Sequence, residues 1–258
     1  MPAPLLTTSD LTVRFGGHIA VDAVSCAFHP GELTAIVGPN GAGKTTYFNL
    51  ISGQIPASSG CVLLNGRDIT TQPVSARTKA GIGRAFQMTN LFPDLSVLEN
   101  VRLVIQAKAG RGFNLWSMVT RHTDLSNEAE AILARVRLLD ECNQLVSELS
   151  HGNQRKLEVA LLIALDPLVY MLDEPTAGMS VDEAPVVLDL IADLKKQTDR
   201  TILLVEHKMD VIRTLADRII VLHNGALAAD GPPAEVMASD VVQEAYMGRG
   251  LDGVLDNV

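Results

Sequence analysis

The chain has 258 residues, of which 47% are hydrophobic, 20% charged and 4% aromatic. That length buries a sizeable core and suits one large domain, or one domain with an inserted lobe; so few aromatics point to the aliphatic interior of buried parallel strands. A net charge of −9 with no basic stripe excludes a broad nucleic-acid-binding surface, so a polyanion would have to be held by local geometry.

The N-terminus, Met1-Pro2-Ala3-Pro4, lacks the basic start and apolar run of a signal peptide. Leu11, Val13 and Phe15 alternate with Thr12 and Arg14, the period-two pattern of a half-buried strand, and Gly16-Gly17 allows a tight turn after it. Leu33 to Val37 is a short apolar run that opens into a glycine-rich loop, and a helix is expected from about Lys44 to Ser52 with Gly53 as its stop. Asn65-Gly66, between Cys61–Leu64 and Arg67–Ile69, reads as a hairpin turn.

The middle of the chain changes character. Ser96-Val97-Leu98-Glu99 is a capping-box pattern, and Val97, Leu98, Val101, Val104 and Ile105 continue it at helical spacing until Gly110-Arg111-Gly112. A second amphipathic helix is expected from near Ser126, with Ile132, Leu133, Val136 and Leu139 on one face. Residues from about 88 to 160 thus read as a helical lobe whose only tryptophan, Trp116, either packs the lobe or faces a partner. The α/β rhythm then returns: strands at Val169–Leu172, Thr201–Val205 and Arg218–Leu222, a helix marked by Val186, Val187, Leu190, Ile191 and Leu194, and a hairpin at Asn224-Gly225. The most apolar stretch, Leu157 to Leu172, is interrupted by Glu158, Asp166 and Pro167, so no membrane span is expected. Cys26, Cys61 and Cys142 are scattered, with no CxxC pair, which argues against a metal cluster or disulfide framework and fits a reducing cytosol.

Three motifs carry chemistry. Gly38-Pro39-Asn40-Gly41-Ala42-Gly43-Lys44-Thr45 fits G-x-x-x-x-G-K-[ST] between a strand and a helix, where backbone N–H groups and the helix N-terminus can cradle phosphate, Lys44 can reach the β- and γ-phosphates, and the Thr45 hydroxyl can ligate Mg²⁺. Val169 to Glu174 is an apolar strand ending in two carboxylates; Asp173 suits a Mg²⁺ shell and Glu174, one residue on, suits a general base for the attacking water. Leu149-Ser150-His151-Gly152-Asn153-Gln154 precedes a third amphipathic run, with Ser150 as a good N-cap, and so forms a second helix N-terminus built like an anion site.

Together, the Walker A pattern at 38–45, the Walker B pattern at 169–174 and LSHGN at 149–153 resemble an ATP-binding-cassette ATPase over nearly the whole chain. The resemblance implies an α/β fold: a P-loop NTPase (RecA-like) core with an N-terminal antiparallel β-subdomain and an inserted α-helical subdomain. It implies one domain over 5–250, in which 1–87 and 161–250 form the core with its β-subdomain and 88–160 the helical signature subdomain, followed by a tail at 251–258. ATP and Mg²⁺ are the implied cofactors. Phe15 resembles the aromatic that stacks on adenine, and Gly38, Pro39, Asn40, Gly41, Ala42, Gly43, Lys44, Thr45 and Thr46 the phosphate loop; Phe15 also reads as core packing. Gln87, at the start of the lobe, resembles the glutamine that touches Mg²⁺ and water and links to a membrane partner, and His207 resembles the switch histidine that contacts the γ-phosphate. Thr45, Gln87 and Asp173 are then the metal residues, and Glu174, His207 and Gln87 the catalytic ones. The family pattern is a head-to-tail dimer in which Ser150, His151, Gly152 and Asn153 grip the γ-phosphate bound by the other subunit.

The chain departs from many relatives with His151 and Asn153 in place of Gly and Gln, changes that leave backbone donors intact, and with Ser180 in place of an Asp that makes cross-dimer contacts. Phe86 to Pro93, the run at 151–160, Ala177-Gly178-Met179-Ser180 and Tyr246-Met247-Gly248 resemble ATPase subunits of branched-chain or hydrophobic amino-acid importers, and relatives that move urea or short amides share much of this pattern. This implies a second ATPase subunit, in a hetero- or homodimer, transmembrane permease subunits, a solute-binding protein acting indirectly, no nucleic acid, and a place in the cytoplasm on the inner face of the membrane. The competing readings are a soluble ATPase of the same fold, such as a cluster-assembly or chromosome-type motor, and a P-loop kinase or switch.

Overall fold

The computed structural model describes residues 2–85, 91–109 and 121–239. Gln87, Trp116, Tyr246-Met247-Gly248 and the tail at 251–258 lie outside the described residues.

The N-terminal part is a four-stranded antiparallel sheet in the order β2-β1-β4-β5, made by β1 (Leu6–Phe15), β2 (His18–Phe28), β4 (Ser59–Leu64) and β5 (Arg67–Asp68). The first strand starts earlier than its alternation suggested, and β2 carries no clean period: Val21, Val24, Cys26 and Phe28 are buried while Ala23 has φ 48°. The register slips between Thr8 and Leu11 and between Leu11 and Val13, and such bulges erase the period-two signal that would mark the strand.

The second sheet has six strands in the order β10-β9-β3-β8-β7-β6. Here β3 (Leu33–Val37), β6 (Ile82–Ala85), β7 (Val169–Asp173), β8 (Thr201–Val205) and β9 (Arg218–His223) run parallel, and β10 (Ala226–Gly231) closes it antiparallel through the Asn224-Gly225 hairpin. Every residue of β3 and β8 is buried, as continuous apolar runs require when both faces are covered. On one face Tyr170, Leu172, Ile202 and Leu204 join the larger core cluster; on the other Val169, Met171, Leu203 and Val205 pack with Tyr47, Phe48 and Ile51 of α1 (Lys44–Ser52) and with the N-terminal sheet. The short helix α2 (Val74–Ala80) leads into β6.

Helices α3 (Val97–Lys108), α4 (Arg121–Arg135) and α5 (His151–Leu165) pack on one another, and their buried side chains belong to the same cluster as the first sheet face. Helix α5 runs unbroken across residue 160. The capping box of α3 is formed in full: the Glu99 N–H donates to Ser96 Oγ at 3.1 Å and the Ser96 N–H to Glu99 Oε2 at 3.2 Å. Helix α4 begins five residues before Ser126 and ends at Arg135, so Leu139 does not extend its buried face. Arg137 takes φ 55° and the Leu138 N–H donates to the Leu133 carbonyl at 2.9 Å, a helix-ending turn that buries Leu138 and leaves Leu139 40% exposed. Helices α6 (Ala184–Lys195), α7 (Met209–Leu215) and α8 (Pro233–Met237) complete the fold, with the five apolar residues expected in α6 all buried.

The C-terminus of α1 is held by one buried cation. Arg77, 2% exposed, donates from Nη1 to the carbonyls of Leu50 and Ile51 at 2.6 and 2.7 Å, and from Nη2 to Thr70 O at 2.6 Å. These are last-turn carbonyls; Leu50 O also accepts from the Gly53 N–H at 3.3 Å, so Ile51 O is the one that depends most on the guanidinium. Replacing Arg77 by Met should remove the donors to Ile51 O and Thr70 O, leave Leu50 O only its 3.3 Å bond from Gly53, and lower stability by about 2–4 kcal/mol. Denaturant unfolding followed by circular dichroism checks this; an unchanged midpoint would remove Arg77 as the anchor of α1.

Candidate active site

Because β3, β8 and β7 are adjacent and parallel, the segments that leave their C-terminal ends meet at one edge of the sheet. The loop after β3 enters α1 at Gly43, whose φ is 98° and where a Cβ would stand 2.5 Å from Ala20 O, so only glycine fits. The loop is braced from behind: Gly225 of the β9–β10 hairpin donates its N–H to Ala42 O at 3.1 Å, and Asp22 of β2 donates to Gly225 O at 2.9 Å. Asn40, Gly41 and Thr45 are exposed, whereas Lys44 is 7% exposed. Its ammonium donates to the carbonyls of Gly38 and Pro39 at 2.7 and 3.0 Å. Burial lowers the Lys44 pKa, and the nearby charges of Glu174 and Asp173 act in the opposite sense. Lys44, Asp173 and Glu174 are thus one electrostatic group.

Asp173 ends β7, and its Oδ2 accepts from Arg84 Nη2 of β6 at 3.0 Å; the two side chains are 8% and 3% exposed. Burial raises the Asp173 pKa, and Arg84 counters it. Glu174 follows with φ 51°, a left-handed backbone uncommon outside glycine, fixed by its N–H donating to Val205 O at 2.9 Å. Glu174 Oε1 lies 2.8 Å from His207 Nε2. The structure therefore brings together Lys44, Asp173, Glu174 and His207, which are as far as 163 residues apart in sequence (207 − 44).

Two residues of this group escape a reading of the sequence. One is Arg84. The other is Glu206, 4% exposed, whose carboxylate accepts from the Thr176 hydroxyl at 2.7 Å and from the His207 N–H at 3.0 Å. The available signal for Glu206 is a charge set directly behind the fully apolar strand Thr201–Val205.

The second helix N-terminus has other neighbours. Ser150 caps α5, its hydroxyl accepting from the Asn153 N–H at 3.2 Å. Gly152 is buried, and a Cβ there would stand 2.2 Å from Glu183 Oε1. Glu183 in turn accepts from the N–H and hydroxyl of Ser180 at 3.1 and 2.9 Å, bonds that hold its pKa down. Ser180 is thus engaged within its own chain, and His151, the first residue of α5, is exposed. Phe15 ends β1 at 54% exposure, which excludes core packing and leaves its ring face accessible.

The donor set fits the expected ligands. A glycine-built loop at a helix N-terminus with a lysine beside it suits a triphosphate. A hydroxyl at Thr45 and a carboxylate at Asp173 are hard oxygen donors. Among the described residues no group of three or more His, Cys, Asp or Glu could hold a metal by itself, so a divalent cation here would share phosphate oxygens.

Residues 21–177 match the ABC transporter family. The chain is 36% identical over 254 residues to the high-affinity branched-chain amino acid transport ATP-binding protein LivG of Escherichia coli (strain K12), covering 96% of this chain and 100% of LivG. Among solved structures, it resembles the ADP conformation of an ATP-binding cassette of an ABC transporter, with a TM-score of 0.80, 28% identity and coverage of 96% and 100% of the two chains. It also resembles a dimeric cassette in a post-hydrolysis state bound to ADP and Pi, with a TM-score of 0.77, 26% identity and coverage of 88% and 98%.

Glu206 gives this site a test that is independent of turnover. Glu206→Ala strands the Thr176 hydroxyl and the His207 N–H, and should cost about 2–4 kcal/mol. Thermal unfolding of Glu206→Ala, Thr176→Val and the double variant checks it; strict additivity would show that the two side chains are not coupled.

Proposed function

The chain belongs to the ABC transporter family as an ATP-hydrolysing subunit, and from that premise we propose that it powers a branched-chain amino-acid importer. The relative LivG, aligned over 96% of this chain, supports that cargo. The observation that carries the chemistry is the group Lys44, Asp173, Glu174 and His207 at one sheet edge, with a separately capped anion site at Ser150.

In this reading Gly38 to Thr46 hold the triphosphate through backbone N–H groups and the Lys44 ammonium, while Phe15 offers its exposed ring to the adenine. Thr45, Asp173 and Gln87 would hold Mg²⁺, which would supply charge neutralisation for the phosphate oxygens. Glu174 is the general base: the water oxygen bonds to the terminal phosphorus, the bond to the bridging oxygen breaks, and the water proton passes to the Glu174 carboxylate. His207, 2.8 Å from that carboxylate, keeps it aimed. Rigid alignment matters more than reactivity here, because phosphoryl transfer depends mainly on positioning and charge.

Ser150, His151, Gly152 and Asn153 serve the nucleotide of a second ATPase subunit. Support comes from the similarity to a dimeric cassette bound to ADP and Pi. Permease subunits carry the cargo across the membrane, a binding protein delivers it, and this chain sits on the inner membrane face through them. No helix among the described residues is long and apolar enough to cross a membrane.

Glu174→Gln should keep ATP binding and reduce hydrolysis by about 10²–10⁴. In that background Ser150→Arg should leave nucleotide affinity at low protein concentration nearly intact and block ATP-driven association, including with the partner ATPase. Titration and size-exclusion chromatography check this; loss of affinity as severe as in Lys44→Ala, or normal dimers, would refute the action across subunits.

Deleting the chain from its host should abolish uptake of leucine-like amino acids. Labelled leucine and urea are the paired readouts, and intact leucine uptake with lost urea uptake would replace the cargo.

A further inference from the structure

Arg84 occupies an unusual place for a buried cation. It is the third residue of β6 and stands in register with Met171 of β7, whose side chain packs toward α1. Residues two apart on a strand share a face, so Met171 and Asp173 both point to the α1 side, where the guanidinium meets them. Its Nη2 donates to Asp173 Oδ2 at 3.0 Å, while Nη1 donates to Asn49 Oδ1 at 2.7 Å and Ser52 Oγ at 3.1 Å, both on α1. A longer contact of 3.4 Å reaches Gln54 Oε1, and the guanidinium lies 5.4 Å from the centroid of the Phe48 ring.

One planar group thus spans the gap between the Walker B strand and the phosphate-loop helix. Asn49 is four residues after Thr45, about 6 Å along a rigid helix. The distance from Thr45 to Asp173 therefore depends on a short path: helix, Asn49 and Ser52, guanidinium, carboxylate. A buried ion pair adds little net stability over apolar side chains of equal volume, because desolvation offsets the attraction. Fixed geometry is what such a pair supplies, and the fork of Arg supplies it in two directions at once.

We propose that Arg84 is a positioning residue that sets the spacing between the Thr45 hydroxyl and the Asp173 carboxylate, and so the Mg²⁺ affinity of the nucleotide site. This rests on the reading above in which those two groups hold Mg²⁺. Groups that orient metal ligands from behind are worth about 10–100-fold in metal affinity. Lysine at 84 keeps the charge and loses the fork; methionine loses both; alanine at Asn49 leaves the pair with Asp173 and removes one tether to α1.

The experiment titrates a fluorescent ATP into the purified chain, first in EDTA and then at fixed nucleotide with rising Mg²⁺. Circular dichroism verifies folding. In EDTA, Arg84→Lys, Arg84→Met and Asn49→Ala should all bind nucleotide within about twofold of the unaltered chain, since the phosphate loop is untouched. The half-saturating Mg²⁺ concentration should rise about tenfold or more in Arg84→Met, less in Arg84→Lys, and in the same direction in Asn49→Ala. If Arg84→Met does not fold, the other two variants carry the test. A half-saturating Mg²⁺ concentration that is unchanged, or lowered because a repelling charge has gone, overturns the proposal. Asp173→Asn is run alongside. If it leaves the Mg²⁺ response unchanged, the assignment of Asp173 to the metal falls and this proposal with it. If it raises the requirement while the Arg84 and Asn49 variants do not, only the role of Arg84 falls.

Discussion

The parallel alignment of β3, β8 and β7 is the constraint from which the site follows. Parallel neighbours present all their C-terminal ends to one edge, so the phosphate loop, the Asp173–Glu174 pair and the Glu206–His207 pair leave the sheet side by side. Helix α1 must then lie across the face carrying Met171, Leu203 and Val205, with its N-terminus at that edge. The burial of Tyr47, Phe48 and Ile51 against the sheet fixes its axis, Arg77 holds its far end, and Gly225 braces the loop at its near end. The partial positive charge of the helix is thereby aimed at a fixed point.

An acidic chain needs that focus, because its overall field repels a polyanion. Each negative group near the site is individually restrained. Asp173 is paired with Arg84, Glu206 accepts from the Thr176 hydroxyl and the His207 N–H, and Glu174, on a left-handed backbone, contacts His207. The Glu174 backbone conformation costs energy, which the hydrogen bond to Val205 and the packing on either side offset. The two adjacent carboxylates thus have different partners, Arg84 for Asp173 and His207 for Glu174.

The α5 N-terminus shows a different kind of coupling. Ser180 stands where many relatives carry an aspartate, and it binds Glu183, whose carboxylate lies against Gly152. The turn after the Walker B strand and the cap of α5 therefore touch within one chain. The N-terminus of α5 is thus tied by contact to the segment that follows β7.

The motifs were legible in the sequence because their chemistry is local. The phosphate loop lies within eight consecutive residues, the capping box of α3 within four, and the central strands show their burial as unbroken apolar runs. From these the α/β core, the position of α1 and the placing of Lys44, Asp173 and Glu174 could be read. The long second strand was hidden because bulges broke its alternation, and the end of α4 was overrun because a single left-handed residue, Arg137, reverses the chain at no cost to the hydrophobic pattern. What only the tertiary structure decided are contacts between distant segments: Arg84 with Asp173 across 89 positions, Thr176 with Glu206 across 30, Gly152 against Glu183, and the exposure of Phe15. A polar side chain advertises no periodicity, and its partner is chosen by which strands become neighbours, so the sequence determined the parts of this ATPase while the order of its sheet determined which of them meet.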